Sequence, residues 1–207
     1  MFSGIEFLFA IAVLIMSVVI HEVSHGFSAN ALGDPTARLQ GRLTLNPLKH
    51  LDPIGSIIVP AITYLVGGFI FGWARPVPYN PYNLKNQKWG PGAVAAAGPL
   101  ANILMAIIFG LIVRFGAANG FIVGAFLEII ILIVFINIIL AIFNLVPIPP
   151  LDGSKVLFAF LPYRWRSLQI FLEQYGFLLL LIFILFFWSI ILPIVFGLFR
   201  LITGLEF

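Results

Sequence analysis

The chain contains no cysteine, so a disulfide framework and a thiolate metal site are both excluded. Charge is nearly as scarce. Eight acids, eleven bases and three histidines are spread over 207 residues, and Asp, Glu, Lys and Arg together make up 9%. Soluble domains carry about 25% charged residues. So few charges cannot cover a soluble globule, which rules out a soluble enzyme, a disordered chain and a nucleic-acid-binding domain. What is abundant is apolar: 61% of residues are hydrophobic and the mean hydropathy is +1.12. The expected setting is a lipid bilayer, and any metal must be held by His, Asp or Glu.

About 20 apolar residues are needed to cross roughly 30 Å of hydrocarbon. Residues 5–31, 91–113, 121–146 and 175–199 meet that length. Residues 54–72 are also apolar, but Pro60, Gly67, Gly68 and Gly72 interrupt them. The run Phe7–Ile20 followed by Ala29-Asn30-Ala31 resembles a signal peptide, yet no Lys or Arg precedes Arg38, so a retained helix is expected. Nine of the eleven bases fall in connectors 32–53, 73–90 and 150–174, which the positive-inside rule places on the cytoplasmic face with the N-terminus outside. The first two connectors flank 54–72 on one side, so that segment is expected to enter and return; five or six spanning helices is the alternative. The expected fold is an all-α polytopic membrane protein forming one domain over 1–207. It has about four spanning helices, the re-entrant segment, and a small cytoplasmic-side β element near 35–46, where Leu43-Thr44-Leu45 suits a strand that accepts substrate by edge pairing. Residues 164–174 are expected to lie on the inner face as a short amphipathic helix.

His21-Glu22-Val23-Ser24-His25 reads H-E-x-x-H. On a helix, positions i and i+4 share a face, so both imidazoles reach one metal and Glu22 lies beside it. An ionised group in the bilayer interior costs about 2.5–3.5 kcal/mol on insertion scales. Three ionisable residues in five positions after an apolar run therefore point to chemistry more than to packing. A catalytic zinc usually has three protein ligands and an open position. The candidates for the third are His50, Asp52, Glu128 and Asp152. Asp152 is favoured by Pro147, Pro149 and Pro150, which unwind the chain where a helix leaves the membrane. A helix N-cap at Asp152 is the competing explanation.

These motifs together resemble the site-2 protease family of intramembrane zinc metalloproteases. H-E-V-S-H lies in the first helix. Asn144, Pro147, Pro149, Leu151, Asp152 and Gly153 match N-x-x-P-x-P-x-L-D-G, and Gly98, Pro99 and Asn102 match G-P-x-x-N. The likeness is to the short prokaryotic branch, without a PDZ-like or nucleotide-sensing domain. It implies one Zn2+ per chain, held by His21, His25 and Asp152, with Glu22 as general base and acid. It also implies that Asn144 binds substrate backbone near the metal, and that Asn102 supports the site or the oxyanion. The implied activity is hydrolysis of peptide bonds within or near transmembrane segments of membrane proteins, in a prokaryotic cell membrane. The alternative from another class is a metal-ion or proton carrier using the same His, Glu and Asp cluster.

Overall fold

In a computed structural model of the chain, residues 4–52, 54–59, 62, 65 and 74–205 are described. Among them are six α-helices: α1 Gly4–Ala31, α2 Thr36–Leu39, α3 Gly90–Ala118, α4 Ala125–Asn144, α5 Asp152–Phe160 and α6 Arg166–Thr203. Among the described residues, four helices are long and apolar enough to cross a membrane: α1, α3, α4 and α6. Their bounds follow local chemistry. Pro91 sits in the first turn of α3, where its missing N–H costs nothing. Gly124 turns the chain at φ +63° ahead of α4, and Glu128 in the first turn of α4 faces the positive end of the helix dipole, which accounts for an acid otherwise out of place. Gly204 ends α6 in the left-handed conformation, its N–H returning to the Arg200 carbonyl.

Lipid is as apolar as leucine, so helices here associate by close packing and buried polar bonds. Ala106, Val134, Ile138, Ile191, Val195 and Phe199 form the buried contact of α3, α4 and α6. Large side chains such as Leu104, Phe126 and Leu185 point outward. Small residues bring backbones together; a Cβ on Gly92 would stand 2.7 Å from the Ala159 Cβ.

Two expectations change. The chain at 35–46 is not a β element. Asp34 takes the Thr36 N–H at 3.2 Å, starting the helical turn α2, and Gly41 at φ +63° reverses the chain. Leu43 then packs beside Gly26 of α1, and Leu43–Leu45 is too short to build a ladder. Residues 164 and 165 of the amphipathic helix expected at 164–174 lie in a short turn, Tyr163–Trp165, and the rest runs into the membrane segment at 175–199 as one continuous helix, α6. The re-entrant path expected for 54–72 lies largely outside the described residues; Ile54–Ile58 forms one loosely wound turn.

The C-terminal ends of α1 and α4 and the N-terminal half of α3 meet at one end of the bundle, as contacts of His21 and His25 with Asn102, Val94 and Asp152 require. The end of α1 and the start of α3 thus lie at that same end.

Candidate metal centre

α1 presents His21 and His25 one turn apart, both buried, with rings 4.7 Å apart and nearly perpendicular. Asp152 arrives from the far side. After α4 ends at Asn144, Pro147, Pro149 and Pro150 carry the chain irregularly to Leu151, and α5 begins with Asp152 itself. Asp152 is therefore the first helical residue, not the cap; Leu151 occupies the cap position without a side-chain bond. Asp152 Oδ2 lies 3.0 Å from His21 Nε2 and 3.1 Å from His25 Nε2. One ligand atom from each of the three residues falls within 4.8 Å of the others.

The protonation of the two rings decides what this triangle can hold. His25 Nδ1 lies 2.7 Å from the Val94 carbonyl oxygen, an acceptor only, so Nδ1 carries the proton. His21 Nδ1 lies 2.6 Å from Asn102 Oδ1, again an acceptor, so the same holds. In the neutral rings both Nε2 atoms then present lone pairs toward a carboxylate oxygen. Three electron-pair donors converge on one point, and a cation satisfies them. Tetrahedral zinc with bonds near 2.0–2.1 Å separates its ligands by about 3.4 Å, close to the spacing here. The donor set fits zinc.

Gly98 closes the α3 side. A Cβ there would stand 2.5 Å from His25 Nε2 and 2.6 Å from His21 Nε2, so no other residue leaves room for an ion. Pro99 follows it inside α3, where its ring removes one backbone donor from the helix ladder.

Glu22 is half-buried beside the triangle. Its Oε2 accepts the Val77 N–H at 2.9 Å. Val77 stands between Pro76 and Pro78, so its amide is the one backbone donor of those three residues. Buried Arg42 holds the same stretch by donating from Nη2 to the Arg75 carbonyl at 2.8 Å and the Pro76 carbonyl at 3.2 Å. Burial and the nearby Arg75 charge draw the Arg42 pKa down, while Glu22 opposes them. Asp34 fastens the next residues, accepting from the Asn80 N–H at 2.7 Å and Asn83 Nδ2 at 2.9 Å. Burial alone would raise the Asp34 pKa; the bonds from Thr36, Asn83 and Asn80 outweigh it and hold the carboxyl below its usual value. Burial, aided by the Asp152 charge, pushes the Tyr79 phenol up.

The other candidates fall elsewhere. His50 is buried outside the triangle, its Nε2 2.8 Å from the Thr44 carbonyl. Asp52 takes the N–H groups of Ile54 and Gly55. Asn144 Nδ2 donates to Leu140 O of its own helix at 2.9 Å. Asn102 stands behind His21 instead of facing the point where the ligand atoms converge. The sequence did not single out Arg42, Asp34 or the Val77 amide; the Pro76-Val77-Pro78 pattern is the signal that marks a lone donor.

Four membrane-length helices and a buried cluster with zinc-compatible donors define an integral membrane metalloprotein. Comparison with known proteins makes the class specific. Residues 116–187 match the model of Peptidase family M50. The chain is 38% identical over 179 residues to "Putative zinc metalloprotease YwhC" of Bacillus subtilis, covering 84% of this chain and 78% of that one. It is 32% identical over 180 residues to "Putative zinc metalloprotease Rip2" of Mycolicibacterium smegmatis, covering 85% of this chain and 66% of the relative. A Methanocaldococcus jannaschii protein, "Putative zinc metalloprotease MJ0611", is 29% identical over 79% of this chain and 76% of its own length. No solved structure matches the chain significantly. The chain belongs to the peptidase M50, or site-2 protease, family, and is a zinc metallopeptidase of the membrane.

Proposed function

We propose that the protein is an intramembrane endopeptidase that cuts transmembrane segments of other membrane proteins, as in regulated intramembrane proteolysis. The observation that carries this is the convergence of His21 Nε2, His25 Nε2 and Asp152 Oδ2 at one end of the membrane-length helices. These three atoms would hold the zinc. When bound, the metal supplies a Lewis acid for the scissile carbonyl and brings the pKa of a water near 7.

Glu22 then works as the proton carrier. Its carboxylate takes a proton from the attacking water and returns it to the leaving amine. The Val77 N–H fixes one oxygen of that carboxylate and leaves the other for the proton. Asn144 lies at the end of α4 ahead of the Pro-rich turn, where its amide can bind an unwound substrate backbone. A helical substrate has every backbone group bonded and must open to expose a carbonyl. The bases of 32–53, 73–90 and 150–174 favour an active site toward the cytoplasm with the N-terminus outside.

The test reconstitutes the protein in liposomes with a transmembrane peptide. Wild type should cut the peptide; Glu22→Gln should keep zinc and lose cleavage. Absence of cleavage by wild type, with a metal flux that Glu22→Gln abolishes, would favour the carrier instead.

A further inference from the structure

A chain of buried amides runs from His21 into the interior of the helix bundle. Asn102 of α3 and Asn137 of α4 are fully buried, and Ser17 of α1 nearly so. Asn102 Oδ1 meets His21 Nδ1 at 2.6 Å. Asn102 Nδ2 donates to Asn137 Oδ1 at 2.7 Å and to the Ser17 carbonyl at 3.3 Å. Asn137 Nδ2 donates to Ser17 Oγ at 2.9 Å and to the Ile133 carbonyl of its own helix at 2.8 Å.

The polarity of this chain has no freedom. The Ile133 carbonyl only accepts, so the NH2 of Asn137 must face it and the Asn137 oxygen must face Asn102. That oxygen and the Ser17 carbonyl both accept, so the NH2 of Asn102 faces them and its oxygen faces His21. His21 must then carry its proton on Nδ1, which leaves the Nε2 lone pair toward Asp152. Turning Asn102 over would set its oxygen against two acceptors, and turning Asn137 over would set its oxygen against the Ile133 carbonyl and its NH2 against that of Asn102. Two backbone carbonyls, on α1 and α4, are thereby read through two side chains as the tautomer of one histidine. His25 differs, since the Val94 carbonyl sets its tautomer directly.

We propose that Asn137 is a positioning residue for the metal, acting through Asn102 to fix the tautomer and orientation of His21. This rests on the reading of His21 as a zinc ligand. It also explains a polar side chain in the middle of the most apolar helix, where an amide costs free energy unless fully bonded. Partners that orient a ligating histidine typically change metal affinity by about 10–100-fold when removed.

The experiment uses the full chain in bilayers. Nitrogen-15 NMR of the metal-free protein reads the His21 tautomer, and competition with a chelator of known affinity reads zinc binding. Wild type should show His21 protonated at Nδ1. Asn137→Leu should mix the tautomers and weaken zinc by about 10–100-fold. Asn137→Asp, neutral when its carboxyl is fully buried, keeps the oxygen that receives Asn102 Nδ2 and points its O–H at the Ile133 carbonyl, so it should restore the tautomer and most of the affinity. A His21 protonated at Nε2 in wild type would overturn the proposal, as would wild-type zinc affinity in Asn137→Leu. If Asn137→Leu does not fold, the wild-type tautomer and the Asn137→Asp variant still decide: a scrambled tautomer in the latter also overturns it. His21→Ala separates the two levels, because undiminished zinc binding there would refute the metal site itself and not only its support.

Discussion

The Val77 amide donates to Glu22 Oε2 at 2.9 Å, so the carboxylate next to His21 and His25 is held by a loop 55 residues away in sequence. Glutamine at position 22 keeps a side-chain oxygen for that amide. Glu22→Gln should therefore fold and bind zinc as wild type does while losing about 10²–10⁴-fold in peptide cleavage. Zinc content and cleavage rate, measured on one preparation, check both halves.

The grip of Arg42 on the Arg75 and Pro76 carbonyls gives a second expectation. Arg42→Ala frees the stretch that carries Val77, so Glu22 loses its orientation while His21, His25 and Asp152 keep theirs. The cleavage rate constant should fall on the order of 10²-fold with zinc content unchanged. Arg42→Lys should not rescue it fully, because one ammonium replaces a planar fork that spans two carbonyls.

Gly98 is the tightest packing constraint at the centre. Gly98→Ala places a methyl carbon within 2.6 Å of both Nε2 atoms and should expel zinc without disturbing helix content. Metal analysis beside circular dichroism distinguishes this from unfolding.

Asp34 links the loop to pH. Its carboxyl is held below the usual value in the folded state by the bonds from Thr36, Asn83 and Asn80, against the opposing effect of burial. A depressed folded pKa stabilises the loop at pH above the unfolded value, 3.8, and that contribution disappears as pH falls through the folded value. Hydrogen exchange at Asn80 should accelerate as pH drops below 3.8, beyond the intrinsic change. In Asp34→Asn the protection should already be weaker at neutral pH and should vary less with pH.

Much of the fold is legible in the sequence where a single helix or a contiguous motif carries the information. The spans expected at 91–113 and 121–146 correspond to α3 and α4, because apolar length alone specifies them. The approach of Asp152 to H-E-x-x-H follows from the prolines before it and from the resemblance, not from periodicity. The loop over Glu22 is hidden for a physical reason: it is built from side chain-to-backbone bonds of Arg42, Asp34 and Glu22 across distant segments, which leave no periodic trace. The same bonds explain the missing strand, since Arg42 and Asp34 hold neighbouring chain by side chains where a sheet would use its backbone. Asn137 is visible as a polar residue in an apolar helix, but its partners Ser17 and Asn102 come from two other helices.

Whether His21, His25 and Asp152 hold the metal is tested most directly by zinc-edge X-ray absorption of the purified protein in lipid, together with zinc stoichiometry of the Asp152→Ala variant. The predicted result is one zinc per chain with two imidazole nitrogens and a carboxylate oxygen near 2.0–2.2 Å in its coordination shell, about the distances known for zinc, and loss of tight binding in Asp152→Ala. A shell without two imidazoles, or full zinc occupancy at wild-type affinity in Asp152→Ala, would contradict it.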